Sequence, residues 1–397
     1  MKKILILGGG YLQTFAIKRA KELGYHVLCL DVNPNAEGFK LADEYAVINI
    51  VNEEECLKYA IDHHVDGVMT AATDFSVLTV SYIAERLKLP GIPYEVAKII
   101  KNKYQVRKRL FEAQADDSCQ AYIVESKNDI DNIIDRVIFP VMVKPCDGSG
   151  SRGTARIDCK EDLRLACENA IYNSLSKKAF IESFVDGIEY GVETFVYNGE
   201  VHVLGVMKKW MTSPPNYAEL GHAYPSGLDS ALEDKIKYSV KRALMALGVE
   251  YGPVNMDIIV TGNGTIHIID IGARMGGNLI YSHLIPLGTG NDYIKNVICS
   301  TVGDSVDFSV GNRTPIATAL LALQPGIIVS NSDVNDFVEK EGICYMAFLK
   351  KQGDVINEYK TNIDGCGYIV VTGDDVEDCH DRAFYLKEKF DKTIVRK

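Results

Sequence analysis

The sequence predicts an α/β protein of several lobes, and three observations carry that reading. Apolar runs of strand length alternate with helical patterns over roughly the first ninety residues. A glycine- and serine-rich loop, DGSGSRG, separates two strand-like runs, VMVKP and TARID. Further on, two strand–turn–strand segments are apolar except for isolated charges, two of them aspartates. A chain of 397 residues has room for roughly two to four structural domains with real cores.

Taken in order, KILILG (3–8) reads as a buried strand, followed by a helix from about Tyr11 to Leu23 and a second strand, HVLCLD (26–31). YAVINI, a helix near Glu53–His63, DGVMTA and a helix near Phe75–Leu87 continue the alternation. Such a pattern predicts a parallel, Rossmann-like sheet covered by helices. The breaker cluster LPGIP (89–93) marks a boundary, so residues 1–93 form the first unit. A basic helix over Ala97–Phe111 and a smaller α+β unit follow to residue 185, ending in the strand KKAFIESFV. The unit 186–311 carries two hairpins, turning at Asn198-Gly199 and at Gly262-Asn263-Gly264. Residues 312–397 complete the chain as short strands and a helix.

GGGYLQ (8–13) follows the first strand, and Asp31 ends the second, near the place where dinucleotide folds put a ribose-binding acid. Gln13 stands where the third glycine would, so a tight turn lining a crevice is the preferred reading. Gly148, Gly150 and Gly153 also satisfy G-x-G-x-x-G, but a strand follows rather than a helix. That context suits a hairpin covering phosphates, where glycines let backbone N–H groups approach the oxygens. Lys144 at the end of FPVMVK stands ready for the same phosphates. No G-x-x-x-x-G-K-[ST] string is present.

Asp257 and Asp270 are thirteen residues apart on the two strands of one predicted hairpin, and their alternation puts them on one face. Paired carboxylates repel unless a cation is shared, and hard oxygen donors suit Mg²⁺ carrying nucleotide phosphates. Arg274 lies four residues beyond Asp270 and can bring a planar guanidinium to a phosphate or carboxylate. Lys208-Lys209 ends a strand facing the same region, either touching phosphate or simply solvated. SPPNYAELGH (213–222) reads as a long loop whose Glu219 and His222 meet substrate. His63-His64 is a solvated helix end.

Composition narrows the class. A net charge of −11 with no basic run excludes nonspecific nucleic-acid binding. Ten cysteines occur without a CxxC pair, which points away from zinc or redox motifs and toward a reducing cytoplasm. The opening MKKILILGGG is read as a buried strand rather than a signal peptide, and no apolar run reaches membrane-span length.

Together these segments resemble the ATP-grasp superfamily of carboxylate–amine ligases, in the branch with biotin carboxylase, carbamoyl-phosphate synthase and glycinamide ribonucleotide synthetase. The likeness covers roughly residues 1–325. It implies a Rossmann-like preliminary domain (1–93), a linker helix and flap lobe (94–185), a metal-binding lobe (186–311) and a C-terminal α+β segment (312–397). By resemblance, Lys103 and Lys144 are nucleotide lysines, and Ser149, Gly150, Ser151 and Gly153 belong to the flap. The hinge backbone of Glu182, Ser183, Phe184 and Val185 meets adenine, and Glu189 takes the ribose hydroxyls. Asp257 and Asp270 are the metal carboxylates. Arg274, with Lys144, serves phosphoryl transfer, and Arg274 and Gly276 join Glu219 and His222 at the substrate.

The implied chemistry uses ATP and Mg²⁺, with Mn²⁺ as the alternative, to make an acyl phosphate that an amine then displaces. Its partners are a small carboxylate and a small amine, without nucleic acid or membrane, and a homodimer is compatible. The family commonly shows Glu-x-Asn at the second metal site, where this chain has Asp270-Ile271-Gly272; that departure implies a looser second metal. The glycine signature and longer motif of glycinamide ribonucleotide synthetases are absent, and IGARMGGN is more similar to the amino-acid and peptide ligase side. A phosphoribosylglycinamide synthetase-like or carbamoyl-phosphate-synthase-like ligase, a non-catalytic nucleotide-binding protein and a nicotinamide oxidoreductase are the competing readings.

Overall fold

The computed structural model describes residues 1–117, 121–147 and 153–397. Strands β1 (Lys3–Leu7), β2 (His26–Asp31), β3 (Glu44–Val47) and β4 (Gly67–Met69) form a parallel sheet in the order β3-β2-β1-β4. The apolar run Ile4–Leu7 is completely buried, as expected of a strand covered on both faces. The first helix is shorter than the sequence suggested: a 3₁₀ turn takes Tyr11–Gln13 and the α-helix spans Thr14–Glu22. Gln13 turns its amide inward and donates to the Ala71 carbonyl at 2.5 Å. Asp31 accepts from the Gly9 N–H at 2.7 Å and from the Asn33 N–H at 2.8 Å. The acid therefore closes its own loop, the opposite of what a ribose-binding residue does.

The single helix expected over 97–111 is two helices, Tyr94–Ile100 and Lys103–Glu112. Asn102 breaks it by adopting an extended conformation (φ −111°, ψ 100°) and accepting the Gln105 N–H as an N-cap. A four-stranded antiparallel sheet follows, from β5 (Ala121–Val124), β6 (Val141–Pro145), β7 (Ala155–Ile157) and β8 (Ala179–Ser183), in the order β5-β8-β6-β7. Along β6, Val141 and Val143 point into this lobe's core while Met142 and Lys144 face the cleft, the strand period of two.

The rest of the chain builds one large sheet and its cover. In chain order the strands are β9 (Ile188–Tyr197), β10 (Glu200–Met211), β11 (Glu219–Tyr224), β12 (Gly252–Val260), β13 (Ile266–Gly272), β14 (Ile316–Leu320), β15 (Gly326–Ser330), β16 (Tyr345–Phe348), β17 (Val355–Ile356), β18 (Gly367–Thr372) and β19 (Val395–Arg396). Eight of them form the sheet β13-β12-β9-β10-β11-β14-β18-β16, and β17-β15-β19 forms a small separate one. One difference from the sequence reading follows. The loop expected over 213–222 contains the start of β11, which pairs with β10 and β14. Within the C-terminal segment, β14, β18 and β16 continue the large sheet across residue 312. The β9–β10 hairpin turns at Asn198 and Gly199, both at positive φ (50° and 79°), the conformation Asn-Gly favours.

The parallel sheet and the large lobe share a core. Ile4, Ile6 and Ala16 pack in one cluster with Met275, Leu279, Tyr281 and Tyr293. This packing brings the loops after β1 and β4 against the turn that follows β13: a Cβ added at Gly277 would lie 3.8 Å from Ala72 and 4.0 Å from Leu12. Among the described residues no helix is long and apolar enough to cross a membrane.

Candidate active site

A cleft of about 470 Å³ separates the flap lobe from the large sheet. Its hinge side is the end of β8 and the residues after it. The Phe184 N–H is committed to the Pro140 carbonyl at 3.0 Å, whereas the Val185 N–H has no acceptor among the described residues. Arg156 on β7 lays its guanidinium 4.2 Å from the Phe184 ring centroid, so a flat apolar-and-cationic surface lines this end of the cleft.

The Glu182 side chain does something the sequence reading did not assign. It is buried beneath the hinge, taking Lys144 Nζ at 2.6 Å and Arg107 Nη2 at 3.1 Å. Arg107 also holds Asp116 at 2.8 Å and the Ile268 carbonyl at 2.5 Å. Burial opposes charge on Glu182, but Lys144 and Arg107 outweigh it and hold the carboxyl below its ordinary range. Arg107 itself was not picked out from the sequence; its only signal there is the basic character of its helix.

Of the pair Lys208-Lys209, the strand period sends Lys208 to Glu377 at 2.5 Å and Lys209 into the cleft wall. Lys209 is 4% exposed and meets Asp257 at 2.8 Å, Glu219 at 3.0 Å and Glu189 at 3.6 Å. Burial disfavours its charge, yet the three acids raise its pKa well above the ordinary value. They respond unequally. Lys209 overcomes burial at Glu219 and holds it at about 2, whereas burial with two like charges nearby pushes Asp257 up to about 6. Glu219 lines the cleft and also accepts from the Asn278 amide. His222 is 1% exposed, reaches neither cavity lining, and is kept neutral by burial with a pKa lowered to about 4. It backs the cleft wall rather than facing a substrate.

Asp257 and Asp270 stand directly opposite one another in the β12–β13 register. Lys103, the first residue of its helix, donates to Asp270, so a single turn after the Asn102 break delivers the first lysine to the aspartates. Two register positions away Asn255 lies opposite Gly272. An amide thus stands across the hairpin from the position where the family pattern has an asparagine and this chain has glycine. Asn255 donates its amide N–H to Glu193 at 2.9 Å. Two facing, partly accessible carboxylates at the mouth of the cleft are a donor set that fits a hard divalent cation.

Arg274 crosses to the parallel-sheet domain, where Nε and Nη2 take the two carboxylate oxygens of Asp74 at 3.2 and 3.0 Å. Burial disfavours the Asp74 charge, but Arg274 prevails and the carboxyl sits at about 2. The turn carrying Arg274 is pinned from below by Glu193, which is fully buried. It accepts the Gly276 N–H at 3.0 and 3.1 Å and the Tyr293 hydroxyl at 2.9 Å. The Gly276 N–H is therefore committed inward, and this differs from the substrate contact expected of it. A Cβ on Gly276 would approach a Glu193 carboxylate oxygen to 2.7 Å, so any larger residue would force the buried Glu193 side chain to shift. Neither Asp74 nor Glu193 has a motif that would single it out. The flap residues Ser149, Gly150 and Ser151 lie outside the described residues. Gly153, at φ +70°, packs its backbone against Asn173 and Pro145.

With this geometry in view, the matches to known proteins are specific. Residues 137–282, from β6 through the turn after Arg274, match the ATP-grasp domain family. The chain carries an ATP-grasp domain. Residues 319–389 match a second family, L-amino acid ligase C-terminal domain 2, and this is the segment whose strands extend the large sheet beyond the ATP-grasp domain. The uncharacterised protein y4rH of Sinorhizobium fredii is 26% identical over 394 residues, covering 93% of this chain and 78% of that protein. Carnosine synthase 1 of Mus musculus is 24% identical over 315 residues, 72% of this chain but only 38% of that enzyme. Among solved structures, L-amino acid ligase from Bacillus licheniformis has a TM-score of 0.85 at 21% identity, covering 100% of this chain and 99% of that one. Phosphoribosylglycinamide synthetase from Anaerococcus prevotii has a TM-score of 0.79 at 23% identity, with the same coverage. At these identities the structures establish the ATP-grasp fold. The family and sequence matches together support ATP-dependent C–N ligation.

Proposed function

We propose that this ATP-grasp protein is an ATP- and Mg²⁺-dependent ligase that converts a carboxylate into an acyl phosphate and couples it to an amine, releasing ADP and phosphate. One observation carries the reading. Lys103, Asp257 and Asp270 line both the nucleotide cleft and a smaller cavity that ends at Arg274. Their position is a junction across which a phosphoryl group passes from one bound molecule to another.

In the first step the donor carboxylate attacks the γ-phosphorus of ATP and the bond to the β-phosphate oxygen breaks, leaving ADP. Asp257 and Asp270 would hold Mg²⁺, or Mn²⁺ in its place, and the ion would neutralise charge on the phosphate oxygens. Lys103 and Lys144 offset phosphate charge from the linker helix and from β6. The Val185 N–H and the Arg156–Phe184 surface hold adenine, and Glu189 holds the ribose. In the second step an amine attacks the acyl carbon and inorganic phosphate leaves with its bonding pair. Arg274 stabilises charge on the phosphoryl oxygens and then on the tetrahedral oxyanion. Phosphoryl transfer needs mainly positioning and charge neutralisation, which is what this constellation offers. A reducing, cytoplasmic setting suits the nine free cysteines among the described residues.

The test is an ADP-release screen over carboxylate–amine pairs, beginning with amino acids. Release that requires both partners, with phosphate formed in equal amount, supports the ligase. ATP binding without release by any pair would favour a non-catalytic nucleotide-binding protein.

A further inference from the structure

The smaller cavity, about 40 Å³, opens from the Asp257–Asp270 junction toward the Asp74–Arg274 pair. A water molecule needs only about 10–15 Å³ of such space, so the cavity has room for a small oxyanion group. Three cations line it: Lys101, Lys103 and Arg274. Two are already paired, Lys103 with Asp270 and Arg274 with both oxygens of Asp74. The Lys101 backbone N–H donates to the Ala97 carbonyl at 3.0 Å, but its ammonium makes no ion pair or hydrogen bond with any described residue. Burial lowers its pKa, with Asp74 the strongest opposing influence, which is the condition of a cation lacking a close counter-ion.

The chain puts Lys101 here by breaking its helix. In a continuous helix, residues two apart do not face the same way. Asn102 is extended, so Lys101 and Lys103 lie on one side of it, as alternate residues do in a strand. The Lys103 N–H is fastened to the Cys146 carbonyl at 2.9 Å, and the Cys146 thiol donates to Asn102 Oδ1 at 3.3 Å, which fixes the break against the flap lobe. An anion entering this cavity must displace or share a bidentate carboxylate to reach Arg274, but displaces nothing to reach Lys101.

We propose that Lys101 is a substrate-binding residue whose ammonium holds the oxyanion in this cavity, the donor carboxylate or the phosphoryl group transferred to it. The assignment rests on the ligase reading above, and its test separates the two. Lys101→Met and Lys101→Arg are compared with the wild type by isothermal titration of MgADP, then of orthophosphate and of acetate into MgADP-saturated protein. Lys101→Met should keep MgADP affinity within about twofold and lose at least about tenfold in affinity for the anion, and Lys101→Arg should regain most of it. Loss for acetate assigns the donor carboxylate; loss for orthophosphate alone assigns the phosphoryl group. The apo Lys101→Met variant should melt no lower than the wild type, because the half-buried ammonium has no ion pair to lose; a clear fall in melting temperature would make Lys101 structural and overturn the proposal. Anion binding unchanged in Lys101→Met, or absent from the wild type, also overturns it. Failure of the wild type to bind MgADP would instead sink the ligase reading itself, and this inference with it.

Discussion

Glu193→Gln separates the charge of a buried carboxyl from its packing. Glu193 is fully buried beneath the Arg274 turn, and burial pushes its pKa from 4.5 to about 7 despite donors at Gly276, Tyr293 and Asn255. The folded protein therefore holds a proton between those values that the unfolded chain has released. The stability this group contributes is full below pH 4.5, declines as pH rises, and is lost above about pH 7. At about 1.36 kcal/mol per pH unit, the gap from 4.5 to about 7 corresponds to a change of about 3 kcal/mol. Glutamine cannot ionise and lacks this dependence. The stability of Glu193→Gln minus that of the wild type should thus climb with pH, by up to about 3 kcal/mol between about pH 5 and pH 8. Urea unfolding at steps across that range measures it, with far-UV circular dichroism and the fluorescence of Trp210, the single tryptophan; coincidence of the two probes tests for one transition. Curves for the two proteins that stay parallel within about 0.5 kcal/mol would refute the argument, since the linkage allows no other outcome for a carboxyl so shifted.

Other consequences are equally direct. Glu182→Gln leaves Lys144 and Arg107 without their shared buried carboxylate, and unfolding should become easier by about 3–5 kcal/mol; a loss below about 1 kcal/mol in urea titrations would contradict the network. Asp270→Asn should cut Mg²⁺-dependent ADP release about a hundredfold, near 2.7 kcal/mol of barrier, while nucleotide binding measured in a chelator changes little. Equal losses in both would indicate misfolding instead. Arg156→Ala removes the cation over Phe184 and should weaken ATP binding by a few fold, the equivalent of about 0.5–1 kcal/mol, in a fluorescent-nucleotide displacement assay.

Much of this architecture is legible in the sequence because it is written in local patterns. The alternation through residue 87 forecasts the parallel sheet, and the spacing of Asp257 and Asp270 forecasts their facing register, since a tight hairpin brings its own strands together. Where the reading went astray, a local feature outcompeted the pattern. The Asn102 cap split a helix that looked continuous, and β11 formed from a Pro-containing stretch because β10 and β14 supplied partners on both edges.

The sequence by itself determined the fold class, the strand that carries Lys144, and the hairpin that sets Asp257 opposite Asp270. Each of these is encoded within one segment, where hydrophobic period and turn chemistry act over a few residues. Only the tertiary structure decided which charges meet. Arg107 and Glu182 are 75 residues apart, and Asp74 and Arg274 are 200 apart. No propensity links residues so distant; Asp74 meets Arg274 because the parallel sheet and the large lobe share one core, and Arg107 meets Glu182 because its helix packs against both β5 of the flap lobe and the core of the large lobe. Burial then set the energetic weight of each pair, holding Asp74 ionised on Arg274, raising Glu193, and leaving the Lys101 ammonium facing a small cavity without a partner among the described residues.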